Sequence, residues 1–238
     1  MNIVVDFGNT VAKVGIFRDE ILEKIYFFNK AEELQSFLTN HEAENLLVSS
    51  VSHDPENILA WSRAAGKKLA LTAGLSVPVH IAYATPATLG VDRIAAVCGA
   101  LAYYPGDDCL VIDAGTCITY EFIDASGTYH GGGISPGVQM RFKAMHEFTA
   151  RLPRVDAVDH PPLIGTSTET CLQSGVINGM IAEVTGTVSR YRGLYPDVRI
   201  LLCGGDAPYF ENPSIGIILV PELVLTGLNR ILRHNLDA

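Results

Sequence analysis

One short pattern occurs twice in this chain and limits what it can fold into. The first copy is Ile3-Val-Val-Asp6-Phe-Gly8-Asn9-Thr10-Val-Ala-Lys13-Val-Gly15, and the second is Leu110-Val-Ile-Asp113-Ala-Gly115-Thr116-Cys-Ile-Thr119-Tyr-Glu-Phe122. A shift of 107 residues, Asp6 to Asp113, brings them into register: Val4 meets Val111, Gly8 meets Gly115, and Asn9-Thr10 meets Thr116-Cys117. Each copy reads as a buried apolar strand carrying a carboxylate to its end, a glycine turn with small polar residues, and a second apolar strand. Glycine allows a tight turn and close approach to the backbone. Hydroxyls, an amide and turn N–H groups near a fixed carboxylate form a cradle for phosphate together with a metal ion. The plainer reading is two ordinary β-hairpins with Asp-x-Gly turns. The repetition, once near the start of each half, favours the phosphate cradle.

The rest of the chain reads as two similar halves, 1–105 and 106–238. In the first, strands are expected at 2–7, 11–17, 21–28 and 45–51, helices at 31–38 and 55–65, and short extended pieces at 69–72 and 77–83. In the second, strands are expected at 108–113, 116–123, 128–132, 199–203 and 216–220. Helices follow 137, open at 165 and run to about 192, and close the chain from 221 to 232. The fold class is therefore α/β: two duplicated halves, each a mixed β-sheet flanked by helices, with a cleft between them.

Between the two copies, Tyr83-Ala-Thr-Pro-Ala-Thr-Leu-Gly90 carries turn signals and leads into a helical pattern over 91–102. Asp92 and Arg93 fall in its first turn. An aspartate there suits the helix dipole, whereas an arginine opposes it. An adjacent Asp-Arg at a helix start beside a loop also suits a site where one group takes a proton and the other holds an anion. Gly131-Gly-Gly leaves a bare backbone, open to a ligand or simply flexible. Gly133-Ile-Ser135-Pro136-Gly137 matches a nucleophile elbow, but that chemistry needs the N–H of the residue after the serine. Proline has none, so a hydrolase role for Ser135 is rejected. Residues 148–164 are irregular and proline-bearing, a lid-like stretch. Thr166 and Glu169 have capping-box spacing. Gly175, Gly179, Ala182 and Gly186 give the long helix a small-residue face, and Gly204-Gly205-Asp206 ends a strand in a form that suits close backbone approach to a nucleoside.

Composition excludes several classes. Lys and Arg number 17 against 26 acids, a net charge of −9, with no basic block; a nucleic-acid partner is not expected. An anionic ligand would need a cation and local donors. No apolar run approaches a membrane span, and no basic leader precedes the first strand. The five cysteines are odd in number and without Cys-x-x-Cys spacing, and read as buried thiols of a cytoplasmic protein. There is no P-loop and no Gly-x-Gly-x-x-Gly.

Taken together, Asp6-Phe-Gly8-Asn9-Thr10-x-x-Lys13-x-Gly15, Gly90-Val-Asp92-Arg93, Asp113-Ala-Gly115-Thr116-x-x-Thr119, Gly132-Gly-Ile-Ser-Pro136-Gly137 and the 165–175 stretch resemble the type III pantothenate kinases, from residue 1 to the final helix. The resemblance implies the actin-like and sugar-kinase ATPase superfamily, with ribonuclease-H-like halves, and ATP-dependent phosphorylation of pantothenate as the first step of coenzyme A biosynthesis. It implies that Asp6, Phe7, Gly8, Asn9, Thr10, Val11, Ala12 and Lys13 form the first phosphate loop, with Thr116 a second phosphate contact. Asp92 looks like the catalytic base. Tyr83, Gly90, Val91, Asp92, Arg93 and Thr168 look like pantothenate contacts. Asp113 looks like a ligand of a monovalent cation, K⁺ or NH₄⁺, and Asp6 a candidate contact for the Mg²⁺ that accompanies ATP. A homodimer is also implied. A non-catalytic nucleotide-binding regulator of the same fold, and a kinase of another small hydroxyl compound, remain as alternatives.

Overall fold

A computed structural model describes residues 1–210 and 216–236. The chain divides into two compact units: residues 1–106, 123–131 and 222–238 form the first, and 107–122 and 132–221 the second.

In the first unit β1 (Asn2–Phe7), β2 (Ala12–Arg18), β3 (Ile21–Phe28), β4 (Asn45–Ser50) and β5 (Lys68–Ala70) form a sheet of order β3-β2-β1-β4-β5. β1 runs antiparallel to β2 and parallel to β4, so that Asp6 lies level with Lys13 on one side and Ser49 on the other. A central strand with parallel pairing is covered on both faces, which is why β1 reads as an unbroken apolar run. Outer β3 is largely exposed or half-buried instead. Helix α1 (Ala31–Asn40) buries Leu34, Phe37 and Leu38 on one side. Helix α2 (Pro55–Trp61) starts with proline behind an Asp54 cap that accepts the Glu56 N–H. It stops at Trp61, four residues short of the expected 65.

Strand β6 (His80–Ile81), a short turn of helix at Pro86–Thr88 and α3 (Val91–Tyr103) complete the first unit's run of chain. The last helix, α6 (Leu223–Leu236), closes the chain order of the second half, yet it packs on β1 and α3 within the first unit. The contact with α3 is backbone-close. A Cβ on Gly227 would lie 1.8 Å from the Ala95 carbonyl oxygen, and one on Gly99 would lie 2.2 Å from that of Leu223.

The second unit repeats the plan. β7 (Cys109–Ala114), β8 (Cys117–Ile123), β9 (Thr128–Pro136), β10 (Arg199–Cys203) and β11 (Ile217–Leu219) follow the order β11-β10-β7-β8-β9. Element for element this is the first sheet again, with β10 parallel to both β7 and β11 as β4 is to β1 and β5. Residues 123–131, the end of β8 and the start of β9, belong to the first unit, where β6 pairs with β9 through His80–Thr128 and Ile81–Tyr129. Helices α4 (Val138–Glu147) and α5 (Thr168–Leu194) cover the second core, which gathers Leu110, Ile112, Ile118, Phe142, Val176, Met180 and Val184.

Two sequence expectations change here. Gly131–Gly133 is not a loose connection; it is part of β9. A Cβ on Gly132 would lie 1.6 Å from the Tyr120 carbonyl oxygen, so the bare backbone at that position serves the neighbouring strand of the same chain. The long helix starts at Thr168, not at 165, and its capping box is Ser167 with Thr170 in place of Thr166 with Glu169. The Thr170 hydroxyl accepts the Ser167 N–H at 2.9 Å and fills the place a glutamate commonly takes.

Candidate active site

Each central strand ends in the turn that the repeat marks. In the first, the Gly8 N–H donates to the Val11 carbonyl at 3.3 Å, and the Ser52 hydroxyl donates to the Gly8 carbonyl at 3.1 Å. The ring of His53 sits 4.4 Å from that of Phe7. Phe7 and Ala12 are buried in the first core, so they anchor the turn and can offer a ligand their backbone alone. Asn9 and Thr10 are exposed at its tip, and Asp6 and Lys13 are half-buried at its base.

The second turn, Gly115-Thr116, is closed by the Gly115 N–H on the Cys117 carbonyl at 2.9 Å. Two other backbone segments press on it. The Gly137 N–H donates to the Thr116 carbonyl at 3.1 Å, and a Cβ on Gly137 would lie 2.0 Å from the Gly115 oxygen. Gly204, at φ +95°, leaves no room for a Cβ, which would fall 2.1 Å from the Ala114 oxygen and 2.5 Å from Asp113 Oδ1. Two residues on, the Asp206 N–H donates to the Ala114 carbonyl at 2.8 Å. The Asp206 carboxylate accepts the Val138 N–H at the start of α4; burial nevertheless pushes its pKa above the usual carboxylate value, the hydrogen bond opposing. Gly-Gly-Asp is thus a brace for the second turn.

A cation at Asp113 would want oxygen ligands, the set that hard cations prefer. Among the described residues there is no group of three or more His, Cys, Asp and Glu placed to hold a metal. A cation here would therefore take much of its shell from phosphate oxygens, main-chain carbonyls and water.

The third cluster lies in the first unit. Gly90 precedes α3, and the Arg93 N–H donates to Asp92 Oδ1 at 2.9 Å. A Cβ at position 90 would sit 2.5 Å from that oxygen, so the glycine makes room for the folded-back carboxylate. Arg93 is 8% exposed, and its guanidinium carbon lies 5.6 Å from the centre of the Tyr83 ring. A ring face attracts a cation, which offsets the unfavourable place of Arg93 in a first turn. Tyr83 in turn stacks on Tyr129, 6.3 Å between ring centres, and leans on Gly131 at φ +96°. Tyr83, Gly90, Val91, Asp92 and Arg93 are thereby gathered. Thr168 is exposed at the first position of α5, in the second unit.

Other residues singled out in the sequence have structural roles. The Ser135 hydroxyl donates to Glu183 Oε1 at 2.6 Å. The irregular 148–164 stretch is strapped to α5 through Gln173, Ser174 and Asn178, which donate to the carbonyls of Asp156, Leu163 and Pro161. Cys98, Cys109 and Cys203 are buried as expected, the thiols of the first two pushed up to about 12 by burial. Cys171 departs from that expectation and is exposed, and Cys117 is half-buried.

Two sheets that share one order over five strands, each with an acid-x-glycine turn on its central strand, give the fold of the actin-like ATPases and sugar kinases. A candidate N-acetylmannosamine kinase from Listeria monocytogenes shares the fold, with a TM-score of 0.56 at 12% identity over 98% of this chain and 99% of that one. A candidate Baf family transcriptional activator from Campylobacter jejuni does so at 0.68, with 21% identity over 99% and 100%. The model of the type III pantothenate kinase family matches residues 2–190, and the chain belongs to that family. A type III pantothenate kinase from Bacteroides fragilis is 44% identical over 239 residues, covering 99% of this chain and 98% of that protein.

Proposed function

We propose that this chain transfers the γ-phosphoryl group of ATP to the hydroxyl of pantothenate, giving 4'-phosphopantothenate, the first step of coenzyme A biosynthesis. The observation that carries this reading is the near-full-length likeness to type III pantothenate kinases. The Asp6, Asp92 and Asp113 motifs, all intact, support it. The duplicated halves are read as 1–105 and 106–238, on the strength of the matching strand orders.

The transition state of phosphoryl transfer is loose and charge-rich, so catalysis is mainly positioning and electrostatic stabilisation. Residues Asp6 to Lys13 hold the phosphate tail by turn N–H groups, the Asn9 and Thr10 side chains and the Lys13 ammonium. Thr116 adds a contact from the second turn. Asp92 accepts the pantothenate proton. Tyr83, Gly90, Val91, Arg93 and Thr168 orient the substrate. Mg²⁺, with Asp6 as its candidate contact, and a monovalent cation at Asp113 supply charge neutralisation when bound. A chain of net charge −9 has particular need of it.

ATP consumption by the purified protein tests the reading. Turnover should require pantothenate and rise strongly with K⁺ or NH₄⁺ and weakly with Na⁺. Equal rates in the three salts at fixed ionic strength would remove the cation from the account. ATP binding without turnover on pantothenate or any other hydroxyl compound would favour a regulator instead.

The protein is further read as a cytoplasmic homodimer. No helix among the described residues is long and apolar enough to cross a membrane. Gly175, Gly179, Ala182 and Gly186 form an exposed stripe on α5, and at each of the three glycines a Cβ would meet nothing within 4 Å. Sedimentation at micromolar concentration should show a dimer, and Gly179→Leu should weaken it. A wild type that stays monomeric would refute the dimer; one that persists unchanged in the variant would place the interface elsewhere.

A further inference from the structure

We infer that Glu183, in the middle of α5, is a positioning residue for the second phosphate turn. The inference rests on the reading of Thr116 as a phosphate contact. Glu183 Oε1 accepts the Ser135 hydroxyl at 2.6 Å and the Tyr120 hydroxyl at 3.1 Å, and Oε2 accepts Arg141 Nη2 at 2.6 Å. Arg141 closes the ring, donating from Nη2 to Ser135 Oγ at 3.2 Å and from Nε to the Pro136 carbonyl at 2.8 Å. One carboxylate thus collects groups from β8, the end of β9 and α4.

Both anchored residues, Ser135 and Pro136, immediately precede Gly137, whose N–H holds the Thr116 carbonyl and whose bare Cα rests on the Gly115 oxygen. The turn follows the 135–137 backbone because there is no slack between them, and that backbone is fixed by Glu183 and Arg141. Burial works against ionised Glu183, but its hydrogen bonds and the Arg141 charge outweigh it and hold its pKa below the usual value. The carboxylate is therefore charged wherever a kinase works. A satisfied network of this kind rigidifies what it touches. In a reaction run by positioning, a displacement of about 1 Å is worth up to roughly 10²-fold.

The test is a double-mutant cycle of Glu183→Ala and Thr116→Ala, with KM for ATP, KM for pantothenate, kcat and melting temperature measured for each. Glu183→Ala should raise KM for ATP about tenfold in the wild-type background and less than about twofold in Thr116→Ala, because its effect passes through that turn. KM for pantothenate should stay within about twofold. Glu183→Gln, which keeps the shape and the hydroxyl contacts but loses the charge opposite Arg141, should fall between, and carries the same cycle if the alanine variant does not fold. An equal rise in both backgrounds, or none in either, would overturn the assignment and leave Glu183 as scaffold. If Thr116→Ala itself leaves KM for ATP unchanged, the phosphate contact is wrong and this inference falls with it. A Thr116 effect without a Glu183 effect overturns the inference alone.

Discussion

Asp92→Asn is expected to lower kcat by roughly 10²–10⁴-fold, with ATP binding and melting temperature almost unchanged. Asparagine keeps the shape of the side chain, and its amide oxygen can still accept the Arg93 N–H that Asp92 Oδ1 accepts at 2.9 Å. It cannot take a proton from the attacking hydroxyl. If Asp92 were only a favourable charge in the first turn of α3, the same change would cost at most about 1 kcal/mol of stability and spare the chemistry. The structure makes this contrast sharp, because the carboxylate does sit where a helix-start charge would. Asp6→Asn serves as the comparison, since it should weaken the Mg·ATP interaction as well as turnover. Measuring kcat, ATP affinity and melting temperature for both separates proton transfer from phosphate handling. An Asp92→Asn protein turning over at near wild-type rate would end its assignment as the base.

The second large effect is on stability. Gly227→Ala should cost about 3 kcal/mol or more, at or beyond the upper end of ordinary overpacking. The new methyl would fall 1.8 Å from the Ala95 carbonyl oxygen and 2.7 Å from the Gly99 nitrogen, both main-chain atoms that no rotamer change can move aside. Helices α3 and α6 would have to part. For a chain of this size the melting temperature should drop by about 6–12 °C. Gly193→Ala, near the end of α5 and outside the four residues read as the dimer stripe, is the control: its methyl would meet nothing within 4 Å, and alanine is favoured over glycine in a helix by up to about 1 kcal/mol. Calorimetry on both variants checks the pair. A Gly227→Ala protein melting within about 2 °C of wild type would show that the close approach contributes little. Because α3 also carries Asp92, the same variant should lose activity below its melting point.

Local signals were legible in the sequence, and tertiary ones were not. Apolar runs located β1, β2, β7 and β8, and the repeat of Asp6 and Asp113 marked the ends of the two central strands. The family resemblance, not a local signal, grouped Tyr83 with Gly90–Arg93, and the structure puts the Arg93 guanidinium 5.6 Å from the Tyr83 ring centre. What escaped were contacts between distant residues. The glycines at 131–133 announce a close approach, but not that the Tyr120 carbonyl makes it at Gly132. Glu183 is one of two glutamates on α5, flanked by Ala182 and Val184, and its importance depends on Ser135 and Arg141, more than forty residues away. A capping threonine at 170 was overlooked because Glu169 fits the commoner pattern one residue earlier. That Cys171 faces outward depends on which side of α5 meets the core, and the small residues along that helix blur the apolar stripe that would reveal it.

The position of α6 bears on how such a chain is made. Ribosomes deliver it from the N-terminus, so β1 and α3 emerge long before residues 223–236. Through the synthesis of the intervening chain, a matter of several seconds or more at cellular rates, the first unit lacks the helix that buries Leu223, Leu228, Ile231 and Leu232. It also lacks Asn229, which accepts a hydrogen bond from Asn2 and donates to the Asp19 carbonyl. The greasy flank of α3 is uncovered during that interval and open to chaperones or to other nascent chains. The unit begun first is the one finished last.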